Sequence, residues 1–220
     1  MFRRFLLAIL LPAVMISSAS AAEKISVACN PTWPPMELLD DNKQIVGFDV
    51  DMIHAICKEV GLEAEFRNVA WDGIFAGVAA GSYDLVASGV TITPERQRAF
   101  LFTKPYYDVT QIVLLPKGKT AASFADLEGK TVSVQTGTTA ESYCLENEYT
   151  ISGFAANNDA QMALVNGNVD AWVVDNLTAK QMCEGDDSVK ILDEFMTEEP
   201  YAFAFTFGSE DLVEAINYIL

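Results

Sequence analysis

The chain has little positive charge: its 220 residues include 14 Lys and Arg against 31 Asp and Glu, with a single His. Nucleic acids and anionic lipid surfaces are bound through a cationic face, so this balance argues against both as partners. A small anionic ligand would need a cation placed at its site. Two arginines, Arg96 and Arg98, lie close together in the turn "TPERQR", between an apolar segment and a Phe-rich one.

Beyond the N-terminus the sequence has no segment apolar enough to cross a bilayer. Residues 1–22 combine a charged "MFRR", an apolar "FLLAILLPAVMI" and small residues in "SSASAA", which together indicate a secretory signal peptide. The apolar run is short against the ~20 residues of a membrane span, and Pro12 interrupts it. We expect cleavage after Ala21 or Ala22 and a periplasmic mature protein with 12 cations against 31 acids.

Motifs of catalysis and of metal or nucleotide binding are also missing. The sequence has no HExxH and no GxSxG, and "EGKT" lacks the preceding glycine of a P-loop. The segment "DDNKQIVG" lacks the final Glu of a calcium loop, so we interpret it as a turn. The one histidine, His54, lies within a predicted helix beside its apolar stripe, where a structural role is expected. We predict no catalytic residue, no metal and no cofactor.

Cysteines are few: Cys29, Cys57, Cys144 and Cys183, without CxxC spacing. An even number in an exported protein favours disulfides over metal ligation. Four cysteines allow three pairings, between which the sequence does not choose, and free buried thiols are the alternative.

From residue 23 onward, strand and helix patterns alternate. The run "KISVACN" predicts a strand, "DVDMIHAICKEVGLE" has helical apolar spacing, and "YDLVASGV" is apolar on both faces, as parallel strands tend to be. This order predicts an α/β unit with right-handed crossovers, and a second such unit begins at "TQIVLLPKG". Two units joined by extended segments predict two lobes with a ligand-binding cleft between them.

Polar and aromatic residues follow the predicted strands at the ends that would face this cleft. In the first unit they are Asn30, Trp33, Trp71, Ser88, Gly89, Thr91 and Arg96. In the second unit they are Gln135, Thr138, Thr139 and Asp175.

Such a set suits a free α-amino acid. An Arg fork matches a carboxylate in two charge-assisted bonds, and a helix N-terminus adds backbone N–H donors. Asp175, the Gly89 carbonyl and the Thr91 hydroxyl can accept the three hydrogen bonds of the ammonium. The faces of two tryptophans can enclose the apolar part of the ligand side chain. Each residue alone has a structural explanation in turn solvation, helix capping or core packing. Their convergence on one predicted cleft favours the ligand site.

The sequence also resembles the periplasmic amino-acid-binding proteins of ABC importers, which have the two-lobed type II periplasmic binding fold. The resemblance covers nearly all of the mature chain and includes "VGFDVDMIHAI", "WDGIFAGVAAGSYDLVASGVTITPERQRAFLFTKPYY" and "ALVNGNVDAWVVD". It implies that each lobe is a mainly parallel sheet flanked by helices. It further implies lobe 1 from 23–108 and 201–220, lobe 2 from 109–200, and hinge strands between them.

The resemblance also implies functional roles. Arg96 would hold the ligand carboxylate with Gly89 and Thr91 nearby, and Asp175 would hold the ammonium. Trp33 and Trp71 would form the aromatic pair, and the "GTT" loop would supply Thr138 and Thr139. The expected partners are a small amino acid and the membrane subunits of an ABC permease, with the binding protein itself a monomer.

The sequence departs from the family pattern at several positions. Members selective for basic side chains usually carry an acid at the position of Asn30, and some binders of glutamine or acidic ligands carry a cation at Gln135. With neither charge present, we expect a neutral ligand side chain, polar or aromatic. Relatives also continue past the helix "INYIL", so this chain is expected to be a fragment with an incomplete lobe 1.

Two other functions remain open on the same fold. A dehydratase-type enzyme would need a general acid in the cleft, and the matching position is Asp175, already assigned to the ammonium. A ligand-sensing receptor domain would need membrane helices. A sequence that continues past Leu220 would show whether such helices follow.

Overall fold

The computed structural model describes residues 22–119, 123–192 and 197–220. The predicted signal peptide falls outside the described residues, except for Ala22. Among the described residues no helix has the length and apolar character of a membrane span. The helices in this part of the chain are α1 (Phe48–Val60), α2 (Trp71–Ala79), α3 (Pro94–Gln97), α4 (Thr139–Glu146), α5 (Asn157–Val165), α6 (Asn176–Met182) and α7 (Glu210–Ile219), with a 3₁₀ turn at Phe124–Leu127.

The strands alternate with these helices, as predicted. They are β1 (Glu23–Cys29), β2 (Thr32–Trp33), β3 (Glu37–Leu39), β4 (Ile45–Val46), β5 (Leu62–Asn68), β6 (Leu85–Val86), β7 (Leu101–Phe102), β8 (Tyr107–Val109), β9 (Gln111–Pro116), β10 (Thr131–Gln135), β11 (Thr150–Phe154), β12 (Ala171–Asp175), β13 (Val189–Ile191), β14 (Glu199–Tyr201) and β15 (Ala204–Phe205).

The first lobe is built on a five-stranded sheet of order β5-β1-β6-β15-β7. Strand β1 pairs in parallel with β5 and β6, whereas β15 pairs antiparallel with β6 and β7. Successive residues of a strand face opposite sides of the sheet. Accordingly, Val27 packs in one cluster with Ile53 of α1, and Ala28 packs in another with Ile74 of α2.

The second lobe repeats this plan with the strand order β11-β10-β12-β9-β13. Strand β10 is parallel to β11 and β12, and β9 is antiparallel to β12 and β13. Cys144 of α4 packs on one face of the sheet and Leu164 of α5 on the other. Strand β12 is buried along its whole length because both its faces are covered. The predicted fold of two α/β lobes is confirmed. The sheets are mixed and not mainly parallel, because two of the four strand pairs in each are antiparallel.

Two strands form the connection between the lobes. β8 and β14 pair antiparallel, with Tyr107 opposite Tyr201 and Val109 opposite Glu199. Each strand leaves one five-stranded sheet and leads into the other. The lobe boundaries predicted at 108/109 and 200/201 fall on this pair of strands and stay a proposal.

The expectation of disulfides is wrong, since all four cysteines are free thiols. Cys144 and Cys183 pack in the clusters on opposite faces of the second sheet. Cys29 lies close enough to Asp49, in the first turn of α1, for that charge to help burial raise the pKa of its thiol. Cys57 comes eight residues later, about 12 Å along the helix. Bridged cysteines need Cα atoms within about 7 Å, so the sheet separates Cys144 from Cys183 and the length of α1 separates Cys29 from Cys57.

Candidate functional site

A cavity between the two sheets brings the predicted site residues together. Ten of the eleven line it: Asn30, Trp33, Trp71, Ser88, Gly89, Thr91, Arg96, Thr138, Thr139 and Asp175. The exception is Gln135, which is buried beside it and whose Nε2 donates to Asn30 Oδ1 at 3.2 Å and to the Ala155 carbonyl at 3.0 Å. Gln135 and Asn30 thus bond to each other across the cleft.

The turn around α3 holds Arg96 at the cavity. Thr93 caps this short helix by accepting from the Arg96 backbone N–H at 3.1 Å, and Pro94 starts the helix. The guanidinium donates to the Thr91 carbonyl at 3.0 Å and to the Gly137 carbonyl of the other lobe at 3.3 Å. These bonds use two of its five N–H donors.

Aromatic rings enclose the same guanidinium. Its central carbon lies 5.5 Å from the ring centroid of Trp71 and 5.1 Å from that of Phe75. Cation–π attraction at this distance stabilises a cation that is removed from water. Burial lowers the pKa of Arg96, while the charges of Glu199 and Asp175 oppose that shift.

Both tryptophans belong to the lobe cores and also line the cavity. The Trp33 indole donates to the Tyr201 hydroxyl at 2.9 Å, and the Trp71 indole donates to the Gly137 carbonyl at 3.0 Å. Gly89 has φ +51°, and a Cβ there would lie 2.9 Å from Trp33 Cδ1. Only glycine fits this close approach without strain.

Asp175 lies at the end of β12, where the second lobe faces the cavity. The Gln111 side-chain amide donates to its Oδ1. Burial raises the pKa of Asp175, and the charge of Glu199 raises it further, against the smaller opposing effects of Gln111 and Arg96. A positively charged ligand group beside Asp175 would offset this cost of burial.

Sequence reasoning missed Glu37, a fully buried carboxylate that lines the cavity. Its Oε1 accepts from the Ser88 hydroxyl at 2.7 Å, whereas Oε2 has no hydrogen-bond partner among the described residues. Burial raises the pKa of Glu37, and the nearby charge of Asp49 raises it further. The one available signal was an acid within the apolar segment "PPMELL", for which no site residue was predicted.

The buried acids predict an unusual pH dependence of stability. Asp49 accepts from the Gly89 N–H at 3.0 Å and from the Tyr106 hydroxyl at 2.8 Å, yet burial raises its pKa to about 6. Asp titrates near pH 4 in unfolded chains, so between these values the folded state holds more protons. Asp49 alone should therefore lower the free energy of unfolding by about 2–3 kcal/mol as pH rises from about 4 through 6, and the raised pKa values of Glu37 and Asp175 act in the same direction.

Urea denaturation from pH 4 to pH 8, without added amino acid, measures this dependence. The variant Asp49→Asn, which has no proton to lose, should flatten the decline. A free energy of unfolding that rises across this interval in the unmodified protein would contradict the assignment.

Two α/β lobes, joined by paired strands around a cavity with converging polar groups, define a two-lobed binding protein of the type II periplasmic class. The chain belongs to the bacterial extracellular solute-binding proteins, family 3, whose model matches residues 25–220. The predicted resemblance is thereby confirmed.

Several characterised proteins are similar to this chain. "ABC transporter arginine-binding protein 1" of Escherichia coli (strain K12) is 35% identical over 185 residues, which cover 83% of this chain and 76% of that protein. Among solved structures, the arginine-bound form of truncated ArgBP from T. maritima has a TM-score of 0.85 at 32% identity, covering 89% of this chain and 94% of that one. The arginine-, lysine-, histidine-binding protein ArtJ from Geobacillus stearothermophilus has a TM-score of 0.83 at 32% identity, covering 89% and 87%.

Proposed function

We propose that this protein captures a free α-amino acid with a cationic side chain in the periplasm and delivers it to an ABC permease. The observation that carries the proposal is the balance of charged groups among the described residues that line the cavity: the carboxyl groups of Glu37 and Asp175 against one cation, Arg96. In this arrangement the ligand carboxylate would bind to Arg96, and the ligand ammonium would bind to Asp175. That leaves Glu37, whose unpartnered Oε2 matches a positive charge on the side chain.

The ligand carboxylate would bind where two kinds of donor meet. Arg96 has donors beyond those bound to Thr91 and Gly137, and a guanidinium holds a carboxylate in two parallel bonds. Thr138 and Thr139 line the cavity at the start of α4, where backbone N–H groups of the first turn also attract an anion.

The ligand side chain would lie between aromatic walls and end at Glu37. Trp33 and Trp71 supply apolar surface for its methylene groups. The neutral preference predicted above rests on Asn30 and Gln135, but these residues are partners of each other across the cleft. The names of the similar proteins, which specify arginine, lysine or histidine, support the cationic class.

Closure of the lobes would exchange the hydration of the ligand for fixed partners. Bonds of Trp71 and Arg96 to the Gly137 carbonyl already cross the cleft, as does that of Gln135 to Asn30. Each charge-assisted bond contributes about 1.5–3 kcal/mol net. Several of them suffice for micromolar binding, about −8 kcal/mol, after the cost of ordering the lobes.

Binding without catalysis, by a monomer, is part of this proposal. The position that a dehydratase-type enzyme would use for a general acid is Asp175, which the ligand ammonium would occupy. The names of the similar proteins describe binding proteins, which favours transport over the enzyme and receptor alternatives.

The side-chain assignment is tested by pairing Glu37→Gln with two ligands of nearly the same shape, L-arginine and the uncharged L-citrulline. The unmodified protein should prefer arginine. The variant should bind arginine 10- to 100-fold more weakly and lose most of its preference over citrulline, because the carboxylate that matches the guanidinium is gone. Isothermal titration calorimetry measures both affinities.

Asp41→Asn is the matched control, since it removes the same charge from an exposed position outside the cavity. It should leave both affinities unchanged. Tight binding of a neutral amino acid by the unmodified protein, with no heat from arginine, lysine or histidine, would favour the neutral preference instead.

A further inference from the structure

Glu199 binds hydroxyl groups from both lobes and from the connection between them. Its Oε2 accepts from Thr91 Oγ1 of the first lobe at 2.8 Å and from Thr139 Oγ1 of the second lobe at 2.7 Å. Its Oε1 accepts from Thr197 Oγ1 at 2.9 Å. The side chain is buried in β14, behind the cavity wall that Thr91 and Thr139 form.

These contacts fix the direction of the two threonine hydroxyl groups. A carboxylate only accepts hydrogen bonds, so Thr91 and Thr139 must both donate their protons to Glu199. Thr139 Oγ1 in addition accepts from Gln111 Nε2 at 3.3 Å. The hydroxyl oxygens are then available to the cavity as acceptors only, which suits a ligand ammonium and not a ligand carboxylate.

The backbone shows which of these bonds depends on cleft closure. Thr91 forms a β-bridge with Tyr201, and the Ile92 N–H donates to the Pro200 carbonyl at 2.8 Å. The strand that carries Glu199 is therefore bonded to the first lobe directly beside Thr91, whereas Thr197, two residues before Glu199, accepts from the Gln111 N–H of the second lobe at 3.0 Å. Thr139 belongs to α4 of the second lobe, so a rotation of the lobes about the connecting strands would move it relative to Glu199.

We propose that Glu199 is a positioning residue of the ligand site and a latch of the closed cleft. It orients Thr91 and Thr139 as acceptors, and its bond to Thr139 stabilises the closed arrangement of the lobes. The orientation of the hydroxyl groups rests on the proposed amino-acid ligand. The latch does not, since both its partners belong to the protein.

The test compares Glu199→Gln with Thr139→Val, using L-arginine as the probe. Glutamine keeps the shape of the side chain but has no charge, so the bonds that Thr91 and Thr139 donate to it are no longer charge-assisted. Each variant should raise Kd 10- to 100-fold, mainly through faster dissociation measured by stopped-flow fluorescence. The Kd of the double variant should be within about threefold of that of the weaker-binding single variant, because both changes act on the same bond.

Two further variants separate the latch from general damage. Thr139→Ser retains the hydroxyl and should therefore restore most of the slow dissociation that Thr139→Val loses. Thr197→Val removes the third donor to Glu199 but lies outside this cavity, and it should leave dissociation within threefold. Multiplicative effects in the double variant, or unchanged dissociation in both single variants, would overturn the proposal.

A measurement without ligand distinguishes failure of the latch from failure of the proposed function. Small-angle X-ray scattering should show a larger radius of gyration for Thr139→Val than for Thr139→Ser. If the unmodified protein binds no amino acid but this difference is present, the proposed ligand is wrong and the latch stands. Equal radii for the two variants would overturn the latch, even if Glu199→Gln does not fold.

Discussion

Replacing Arg96 by Ala should weaken the binding of every amino-acid ligand together, by at least 100-fold. The guanidinium is the one cation at the cavity among the described residues, and its proposed partner, the α-carboxylate, is common to all amino acids. Loss of two charge-assisted bonds costs about 3–6 kcal/mol, and each 1.4 kcal/mol is a factor of ten in Kd. Calorimetric titration with a panel of amino acids measures the effect.

The chain supplies its own control two residues further on. Arg98 lies in the same turn but is exposed, so Arg98→Ala removes an equal charge away from the cavity and should leave Kd unchanged. Arg96→Lys should give an intermediate affinity, because an ammonium keeps the charge but not the two-pronged geometry. If Arg96→Ala lost affinity for some amino-acid ligands and kept its affinity for others, Arg96 would contact the ligand side chain instead of the carboxylate.

Replacing Asp175 by Asn should change affinity and stability in opposite directions. Without the carboxylate, binding should weaken by at least 100-fold, since the ligand ammonium loses its charged partner. The ligand-free variant should nevertheless resist urea better at pH 7. Burial raises the pKa of Asp175, which means that its ionised form is unfavourable inside the fold, and Asn can still accept from Gln111.

Glu184→Gln, an exposed change of the same charge in the second lobe, should alter neither property appreciably. Urea denaturation gives the stability and calorimetry gives the affinity. A variant of Asp175 that is both less stable and unchanged in binding would assign this residue to the framework of the lobe.

The sequence was sufficient to predict residues that follow long regular strands. Asp175 comes at the end of an apolar run in the second lobe, and Arg96 lies in a turn after an apolar run in the first, so the topology of each sheet places its residue at the cleft. Gln135 is the last residue of β10, and its side chain extends to Asn30 and Ala155 instead of lining the cavity. The direction of a side chain at a strand end depends on neighbours that are remote in sequence.

The residues that the sequence did not reveal belong to short or connecting strands. Glu37 lies in a three-residue strand, and its burial depends on the packing of α1 and on Ser88. Glu199 functions through hydroxyl groups 60 and 108 positions away. The disulfide expectation failed for a related reason, because the parity of cysteines does not show which face of a sheet each one occupies.

The central claim is that the cleft holds both charged groups of a free amino acid, one from each lobe. Isothermal titration calorimetry tests it most directly, by comparing the tightest-binding L-amino acid with its N-acetyl and carboxamide derivatives. We predict that either modification weakens binding by at least 100-fold, since each removes the partner of Asp175 or of Arg96. Undiminished binding of either derivative would contradict the claim.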